Sequence, residues 1–258
     1  MIRSTPAIVA QGAVRRLPRT ALILLCLAYI LPGYFGREPW KNADITAFGY
    51  MVELASGGPH DWLVPTIMGI PPEVDALLPY WLGAWAMQLA PGWMAPDFAA
   101  RLPFGLMLVL VLVATWYGIY QLARSPGAQP VAFAFGGEAQ PADYARAMAD
   151  GGLLGLIGCL GLAQLSHETT PALAQLCFTA LTFYGLSALS GSLLLPLAAI
   201  GAGLTGLTLS GAPAVAVLFG LGGAIFGALE RNETGSAHGG QLWRIAGPLA
   251  AAAAAAAL

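Results

Sequence analysis

The sequence predicts an all-α fold, a polytopic membrane helical bundle with interfacial helices in a long first outer loop. Hydrophobic residues make up 57% of the chain and charged residues 9%, whereas soluble domains are about a quarter charged. The mean hydropathy is +0.70. Because a spanning helix needs roughly 20 apolar residues, the chain has room for about six or seven spans. We therefore predict a single transmembrane domain over residues 1–258.

The candidate spans follow from the apolar runs in chain order. Arg15, Arg16 and Arg19 precede the first run, as in a signal peptide, but no small-x-small cleavage site follows. The first run is therefore predicted to be an uncleaved span. The predicted spans are residues 17–36, 102–123, 151–165, 171–189, 193–209, 212–229 and 245–258.

The basic residues predict the orientation of the bundle. With these spans, most of them fall on one side, and three fall opposite, namely Arg37, Lys41 and Arg101. The excess of basic residues marks the cytoplasmic side, which predicts a cytoplasmic N-terminus. Residues 37–101, 167–170 and 210–211 are then on the outer face. The larger set comprises Arg3, Arg15, Arg16, Arg19, Arg124, Arg146, Arg231 and Arg244.

The outer loop 37–101 combines acidic residues with five tryptophans. Aromatic residues beside a membrane favour helices that lie in the interface. Residues 45–56 place Ile45, Phe48, Val52 and Ala55 on one helical face, and residues 80–89 are too few to span. Asp44 directly precedes the first of these helices, so it is either an N-cap or a functional acid. The tryptophans are Trp40, Trp62, Trp81, Trp85 and Trp93.

A second acid stands alone in apolar sequence. From residue 151 to residue 229, the titratable acidic and basic side chains are the adjacent pair His167 and Glu168. An acid in spanning sequence is costly and marks a functional candidate, although Glu168 also suits a helix start before Pro171. His167 is either a ligand or proton relay, or a hydrogen-bonded interface residue. Arg101, at the start of a span, either extends to the interface or contacts a phosphate.

An ordered set of motifs in the outer loop resembles a known enzyme family. The motifs are Trp-Lys-Asn-Ala-Asp at 40–44, Asp-Trp-Leu-Val-Pro at 61–65, Gly69, Tyr-Trp-Leu at 80–82 and Ala-Ala-Arg-Leu-Pro at 99–103. This order is similar to the first outer loop of the bacterial GT-C glycosyltransferases, which include the lipid A aminoarabinose transferase and the protein O-mannosyltransferases. The resemblance covers residues 17–230. It implies a GT-C-like bundle in the bacterial inner membrane that moves a sugar from a polyprenyl-phosphate donor to a lipid, glycan or protein acceptor on the periplasmic face.

The resemblance also implies the site residues. Asp44 and Glu168 take the positions of the two catalytic acids, and His167 and Tyr80 join the substrate site. The family's Lys-Pro-Pro stretch is replaced by residues 75–79, so the donor phosphate contacts are expected from Lys41, Arg37 or Arg101, or from sequence beyond this chain. No cofactor is assigned, although Asp44, Glu168 and His167 are ligand types that a divalent metal accepts.

Three differences from the family's usual motifs and length leave an alternative function open. The family's Asp-Glu pair is Asp44-Ile45 here, and its Thr-Lys-Gly-Pro stretch reads Leu-Ser-Gly-Ala-Pro at 209–213. Family members are usually longer, which implies either the N-terminal part of a longer enzyme or a degenerate relative. The alternative function is a non-catalytic membrane protein of transporter or scaffold type. The net charge of −2, with no basic stripe, gives no support for a nucleic-acid partner, and Cys26, Cys159 and Cys177 lie in apolar runs without the spacing of a metal or disulfide framework.

Overall fold

The regular structure of the chain is helical. The computed structural model describes residues 8–189, 193–234 and 247, with side chains up to residue 225 and at 247. Within these residues there is no β-strand, and two isolated bridges join Ala10 to Glu138 and Ile67 to Ile70. The all-α prediction is therefore confirmed for the described part of the chain. The predicted last span, 245–258, lies outside the described residues apart from Gly247.

The helices follow the apolar runs closely. Their bounds are α1 Arg19–Tyr34, α2 Lys41–Ser56, α3 Leu78–Leu89, α4 Pro96–Ala123, α5 Pro141–Ile157, α6 Leu160–Leu165, α7 Pro171–Ala188, α8 Leu194–Leu209 and α9 Pro213–Thr234. Short 3-10 turns lie at Gln11–Ala13 and Pro126–Ala128. Proline in the first turn starts α3, α4, α5 and α7, where its missing N–H has no helical partner to lose.

One helix of the described residues, α4, is long and apolar enough to cross a membrane. It begins at Pro96, six residues before the predicted span, because Ala95 is extended and Pro96 fits the first turn. Three shorter apolar helices are α1, α8 and the stretch Pro213–Ile225. The arrangement of six or seven spans remains a prediction.

The prediction of one continuous span over 151–165 is wrong. α5 begins earlier, at Pro141, and ends at Ile157, and α6 begins at Leu160. Cys159 between them has an extended backbone (φ −73°, ψ 98°). The glycines at 151, 152, 155, 158 and 161 weaken this stretch, because each costs about 1 kcal/mol of helix propensity relative to alanine.

Hydrogen bonds and an ion pair join the N-terminal segment to the first half of α5 at one end of the molecule. The N–H of Leu17 donates to Asp150 Oδ2 over 3.0 Å, and Arg146 donates to the carbonyl of Leu17 over 3.1 Å. Arg16 pairs with Asp143 at 2.6 Å. Asp150 is buried and also accepts from the indole of Trp116. The residues predicted to face the cytoplasm therefore gather here.

The opposite end gathers the three segments predicted to be on the outer face. The N–H of Leu77 donates to the carbonyl of Leu209 over 2.8 Å. Gln175, in the first turns of α7, donates to the carbonyl of Ser210 over 2.7 Å. Asp44 of α2 accepts from Thr169. The side of a membrane that each end faces remains a prediction.

α4, α7 and α8 form the centre of the bundle. α7 packs against both α4 and α8, while α1, α3 and α5 also contact α4. Phe104, Leu108, Leu173 and Leu204 are buried almost completely in this centre. The candidate site lies above it, at the end where α1 finishes and α2, α4 and α7 begin.

Candidate functional site

Asp44 is a buried anchor between α2 and the loop before α7. It is 2% exposed. Its Oδ1 accepts from both the N–H and the hydroxyl of Thr169, each over 2.7 Å, and its Oδ2 accepts from the N–H of Trp40 over 2.9 Å. The N-cap reading is wrong, because the helix begins at Lys41 and Trp40 is the N-cap residue. Asp44 instead reaches back from the first turn, where an acid is also favoured by the helix dipole.

Glu168 lies directly beside the residue that Asp44 contacts. Its side chain is buried, and its Oε1 accepts from the side-chain amide of Gln164 over 2.9 Å. The turn formed by residues 166–170 is buried throughout. The structure therefore brings the two predicted acids to adjoining parts of one site through the Asp44–Thr169 contact.

His167 is packed against the end of α1. Its Nε2 lies 2.8 Å from the carbonyl of Tyr29, and its Nδ1 lies 2.6 Å from the carbonyl of Ala163. The ring sits between Tyr29 and Tyr34, with centroids 5.2 and 5.5 Å away. A Cβ on Gly33 would fall 1.8 Å from the ring, so α1 admits the imidazole only because residue 33 is glycine.

The cations of the site differ in how well they are paired. Arg101 is 4% exposed, and its Nη2 lies 3.7 Å from Asp97 Oδ2, which is too long for a hydrogen bond. That Nη2 has no hydrogen-bond partner among the described residues. Arg37 lies 3.8 Å from Asp44 Oδ2. Lys41 is exposed, with a positive φ of 64° at the start of α2.

A second buried polar atom at this end is also without a partner. Thr170 is the N-cap residue of α7, yet its side chain makes no capping bond. Its Oγ1 is buried and has no hydrogen-bond partner within the described part of the chain. Buried polar groups are nearly always bonded in proteins. The Oγ of Ser210, at the same end, is likewise buried without a hydrogen-bond partner in the described residues. Arg101, Thr170 and Ser210 are therefore the places where a ligand or water is most needed.

Tyr80 lies in a different part of the outer end. It packs beside Tyr50, with ring centroids 5.3 Å apart, between α2 and α3. Burial raises the pKa of Tyr80 to about 12, and Tyr50 and the charge of Glu73 add to the effect. The structure gives Tyr80 no hydrogen bond to Asp44 or to the 166–170 turn in the described residues, and it places Tyr80 in the core that supports the outer loop.

The sequence left open a divalent metal held by Asp44, Glu168 and His167, and the described residues do not form such a site. No group of three or more histidine, cysteine, aspartate or glutamate side chains is close enough to hold a metal ion in the part of the chain that the structure describes. Both ring nitrogens of His167 face carbonyl oxygens. The bridge from Asp44 and Glu168 to His167 therefore does not form in this arrangement.

Comparisons with family models, with curated proteins and with solved structures found no match to this chain.

Sequence reasoning missed three residues of the site. Thr169 supplies two of the three hydrogen bonds to Asp44, Tyr34 donates to the carbonyl of Ser166 over 2.9 Å, and Thr170 is buried unbonded. A Thr-Thr pair before Pro171 signals a helix start, and this signal could have directed attention to the turn. No local pattern indicates that its partners lie on α1 and α2.

A polar cavity of about 250 Å³ lies next to this end, between the end of α2 and the following loop. It is lined by Glu53, Leu54, Asp61, Thr66, Met68 and Gly69. Asp61 Oδ2 accepts from the N–H of Gly58, which closes the turn after α2. The cavity is separate from the predicted site residues, none of which lines it.

Proposed function

We propose that the protein is a membrane glycosyltransferase that moves a sugar from a polyprenyl-phosphate donor to a lipid, glycan or protein acceptor on the periplasmic face. The observation that carries the proposal is the buried guanidinium nitrogen Nη2 of Arg101, which has no hydrogen-bond partner in the described part of the chain and lies at the same end as the buried acids Asp44 and Glu168. A buried donor of a charged group that makes no hydrogen bond is costly. An anionic ligand such as a phosphate would supply the missing acceptor.

Arginine suits this role because its planar guanidinium can donate two parallel hydrogen bonds to phosphate oxygens. In the proposed reaction, Arg101 stabilises the leaving polyprenyl phosphate as the glycosidic C–O bond breaks. Arg37 and the exposed Lys41 stand closer to solvent and meet the donor as it enters. The sugar is transferred to the acceptor oxygen, whose proton is taken by a carboxylate.

The carboxylate that acts as base is expected to be Asp44 or Glu168. A carboxylate has about four lone-pair sites. Asp44 uses three of them on Thr169 and Trp40, whereas Glu168 has one bond, from Gln164. Glu168 therefore has more free acceptor capacity. Because both side chains are buried, the proposal requires the site to open when donor and acceptor bind.

The test is transfer of labelled sugar from polyprenyl phosphate in membranes that carry the protein, with Arg101→Met compared against Arg124→Gln. Arg124 is exposed at the opposite end and stacks over Tyr120, so its variant is the matched control. Removing hydrogen bonds to a charged group costs about 1.5–3 kcal/mol, so Arg101→Met should lower kcat/KM by roughly 10- to 150-fold.

The thermal unfolding midpoint distinguishes a role of Arg101 in donor binding from a structural role. Arg101→Met should leave the thermal unfolding midpoint unchanged or higher, because it removes a buried guanidinium nitrogen that makes no hydrogen bond within the described residues and only a long ion pair with Asp97. A lower midpoint together with unchanged transfer would make Arg101 a structural residue and remove the support for the proposal. Absence of transfer with every polyprenyl-phosphate sugar tried would overturn the proposal that the protein is a glycosyltransferase.

The second candidate function is a non-catalytic membrane protein of scaffold or transporter type. It is favoured by the bonds of Asp44, which is held by Thr169 and Trp40 inside the protein. In that case Glu168→Gln should be nearly silent in every assay, because a glutamine can still accept from Gln164. Loss of transfer in Glu168→Gln, with the unfolding midpoint kept, would instead support the enzyme.

A further inference from the structure

We propose that His167 is held as an imidazolium and acts as a positioning residue that clamps the end of α1 to the turn carrying Glu168, Thr169 and Thr170. The clamp is a property of the folded chain. Its effect on sugar transfer rests on the proposed function.

The argument begins with hydrogen-bond donors and acceptors. A neutral imidazole has one N–H and one lone pair, whereas an imidazolium has two N–H groups. The carbonyl oxygens of Tyr29 and Ala163 can only accept, and they lie 2.8 and 2.6 Å from the two ring nitrogens. Two donors are therefore needed, and the imidazolium alone supplies both. The 2.8 Å distance is typical of charge-assisted N–H···O bonds, and the 2.6 Å distance is shorter still.

The neutral tautomers fit the site less well. With the proton on Nε2, Nδ1 could accept from the hydroxyl of Ser166 at 3.3 Å, but it would still face the carbonyl of Ala163 at 2.6 Å with no proton between them. With the proton on Nδ1, Nε2 would face the carbonyl of Tyr29 in the same way. Each neutral form sets a lone pair against a carbonyl oxygen.

The clamp joins parts of the chain that are far apart in sequence. Tyr29 and His167 are 138 residues apart. Two further bonds join the same elements, from the hydroxyl of Tyr34 to the carbonyl of Ser166 over 2.9 Å and between the hydroxyls of Tyr29 and Ser166 over 3.0 Å.

The charges around His167 are balanced closely. α1 presents Tyr29 and Tyr34 to the ring, and the histidine's own turn carries Glu168. Beyond Tyr34 lie Asp44 of α2, Arg37 of the preceding loop and Arg101 of α4, whose charges all act on the Tyr34 phenol. With the imidazolium, three cations face three carboxylates, because Asp97 lies 3.7 Å from Arg101. The imidazolium therefore brings these groups to electrical neutrality.

The protonation state can be read directly by nitrogen NMR of the protein in detergent with ¹⁵N-labelled histidine. His167→Gln identifies the signals, and His60, which is exposed, serves as the solvent-exposed reference. At neutral pH both ring nitrogens of His167 should resonate in the protonated range. A signal of the unprotonated, lone-pair type for His167 at that pH would overturn the proposal, and this result needs no variant to fold beyond the one used for assignment.

The positioning role is tested by hydrogen exchange of residues 163–170. His167→Gln keeps an amide donor but loses the charge and the second donor, so exchange of this segment should rise about tenfold or more. His60→Gln is the control and should leave it unchanged. In the wild type, exchange corrected for its intrinsic pH dependence should rise over the pH range in which the NMR signals of His167 become neutral, and this rise should be missing in His167→Gln.

Equal exchange in His167→Gln and the wild type, or a pH-linked rise that persists in the variant, would contradict the clamp. Neither measurement uses a sugar donor. The clamp therefore stands or falls independently of the transfer assay, and failure of transfer with an intact clamp would count against the proposed function alone.

Discussion

At the residue scale, the contact between Asp44 and Thr169 organises the outer end. It joins α2 to the loop before α7 across 125 residues of sequence, and both partners are buried. The Asp44 carboxylate accepts three hydrogen bonds, two at Oδ1 and one at Oδ2. Loss of the carboxylate should therefore affect folding as well as any chemistry.

Asp44→Asn is expected to destabilise the protein by about 1–3 kcal/mol, because the amide NH₂ would face the N–H of Trp40 and leave a buried donor unpaired. Asparagine is not an equivalent cap here, since Asp44 is not the N-cap residue. Thermal unfolding in detergent measures the loss. Thr169→Val is the control and should cost less, because it removes the hydroxyl donor and keeps the N–H. Equal midpoints for Asp44→Asn and the wild type would contradict this contact.

The raised pKa of Tyr80 predicts that the folded protein loses stability at alkaline pH. Burial raises its pKa to about 12, above the value of about 10 for an exposed tyrosine. The neutral form is thus favoured in the folded state, so its contribution is complete below pH 10 and is lost as the pH rises from 10 towards 12. Tyr80→Phe should flatten this part of the stability curve, and a pH series of unfolding midpoints checks it. An unchanged slope would show that other groups set the limit.

At the element scale, close helix contacts depend on a few glycines. Gly203 of α8 lies against α7, where an added Cβ would be 2.2 Å from the hydroxyl of Thr182 and 2.9 Å from the carbonyl of Phe178. Gly161 of α6 has nothing within 4 Å of that position. The same substitution should therefore have opposite effects in the two helices.

Gly203→Ala is expected to destabilise the protein by about 1–3 kcal/mol through overpacking. Gly161→Ala should stabilise it by up to about 1 kcal/mol, because alanine has the higher helix propensity and meets no clash. Unfolding midpoints of the two variants give the comparison. Similar midpoints would mean that α7 and α8 can separate without cost.

The helical face of α2 shows how an element's partners override its pattern. The sequence placed Ile45, Phe48, Val52 and Ala55 on the apolar face, yet Ile45 and Val52 are exposed. The buried face is the neighbouring one, which carries Asp44, Ala47, Met51 and Leu54. Asp44 faces inward, where Thr169 donates to it. This orientation leaves the apolar side chains of Ile45 and Val52 at the surface, as expected of a helix lying in a membrane interface.

At the scale of the whole molecule, the two ends of the bundle collect different loops, and this leads to a prediction about topology. Residues 37–101 should be outside and residues 124–150 inside. A membrane-impermeant thiol reagent should label Ser56→Cys but not Ser125→Cys in intact cells, and both after the membrane is opened. The test needs a background in which Cys26, Cys159 and Cys177 are replaced. Labelling of Ser125→Cys in intact cells would overturn the orientation.

The sequence alone determined the helical class and the positions of most helices. These are local properties, since apolar runs and a proline at a helix start, such as Pro171, act over a few residues. Composition also identified the isolated acid Glu168. The break at Cys159 was missed because several glycines weaken a helix without indicating which residue leaves it.

Only the tertiary structure decided how the candidate site is assembled. Asp44 meets Thr169 and His167 meets Tyr29 across long stretches of sequence, and no periodicity encodes such pairs. Nor does a local pattern show that Nη2 of Arg101 has no hydrogen-bond partner among the described residues. Hydrogen bonds are directional and short, so whether Thr169 meets Asp44, whether Gly33 admits the imidazole, and whether Nη2 of Arg101 finds an acceptor depend on helix positions to within about an ångström. Local patterns fix which residues are helical, whereas the packing of α1, α2, α4 and α7 fixes which polar groups are satisfied.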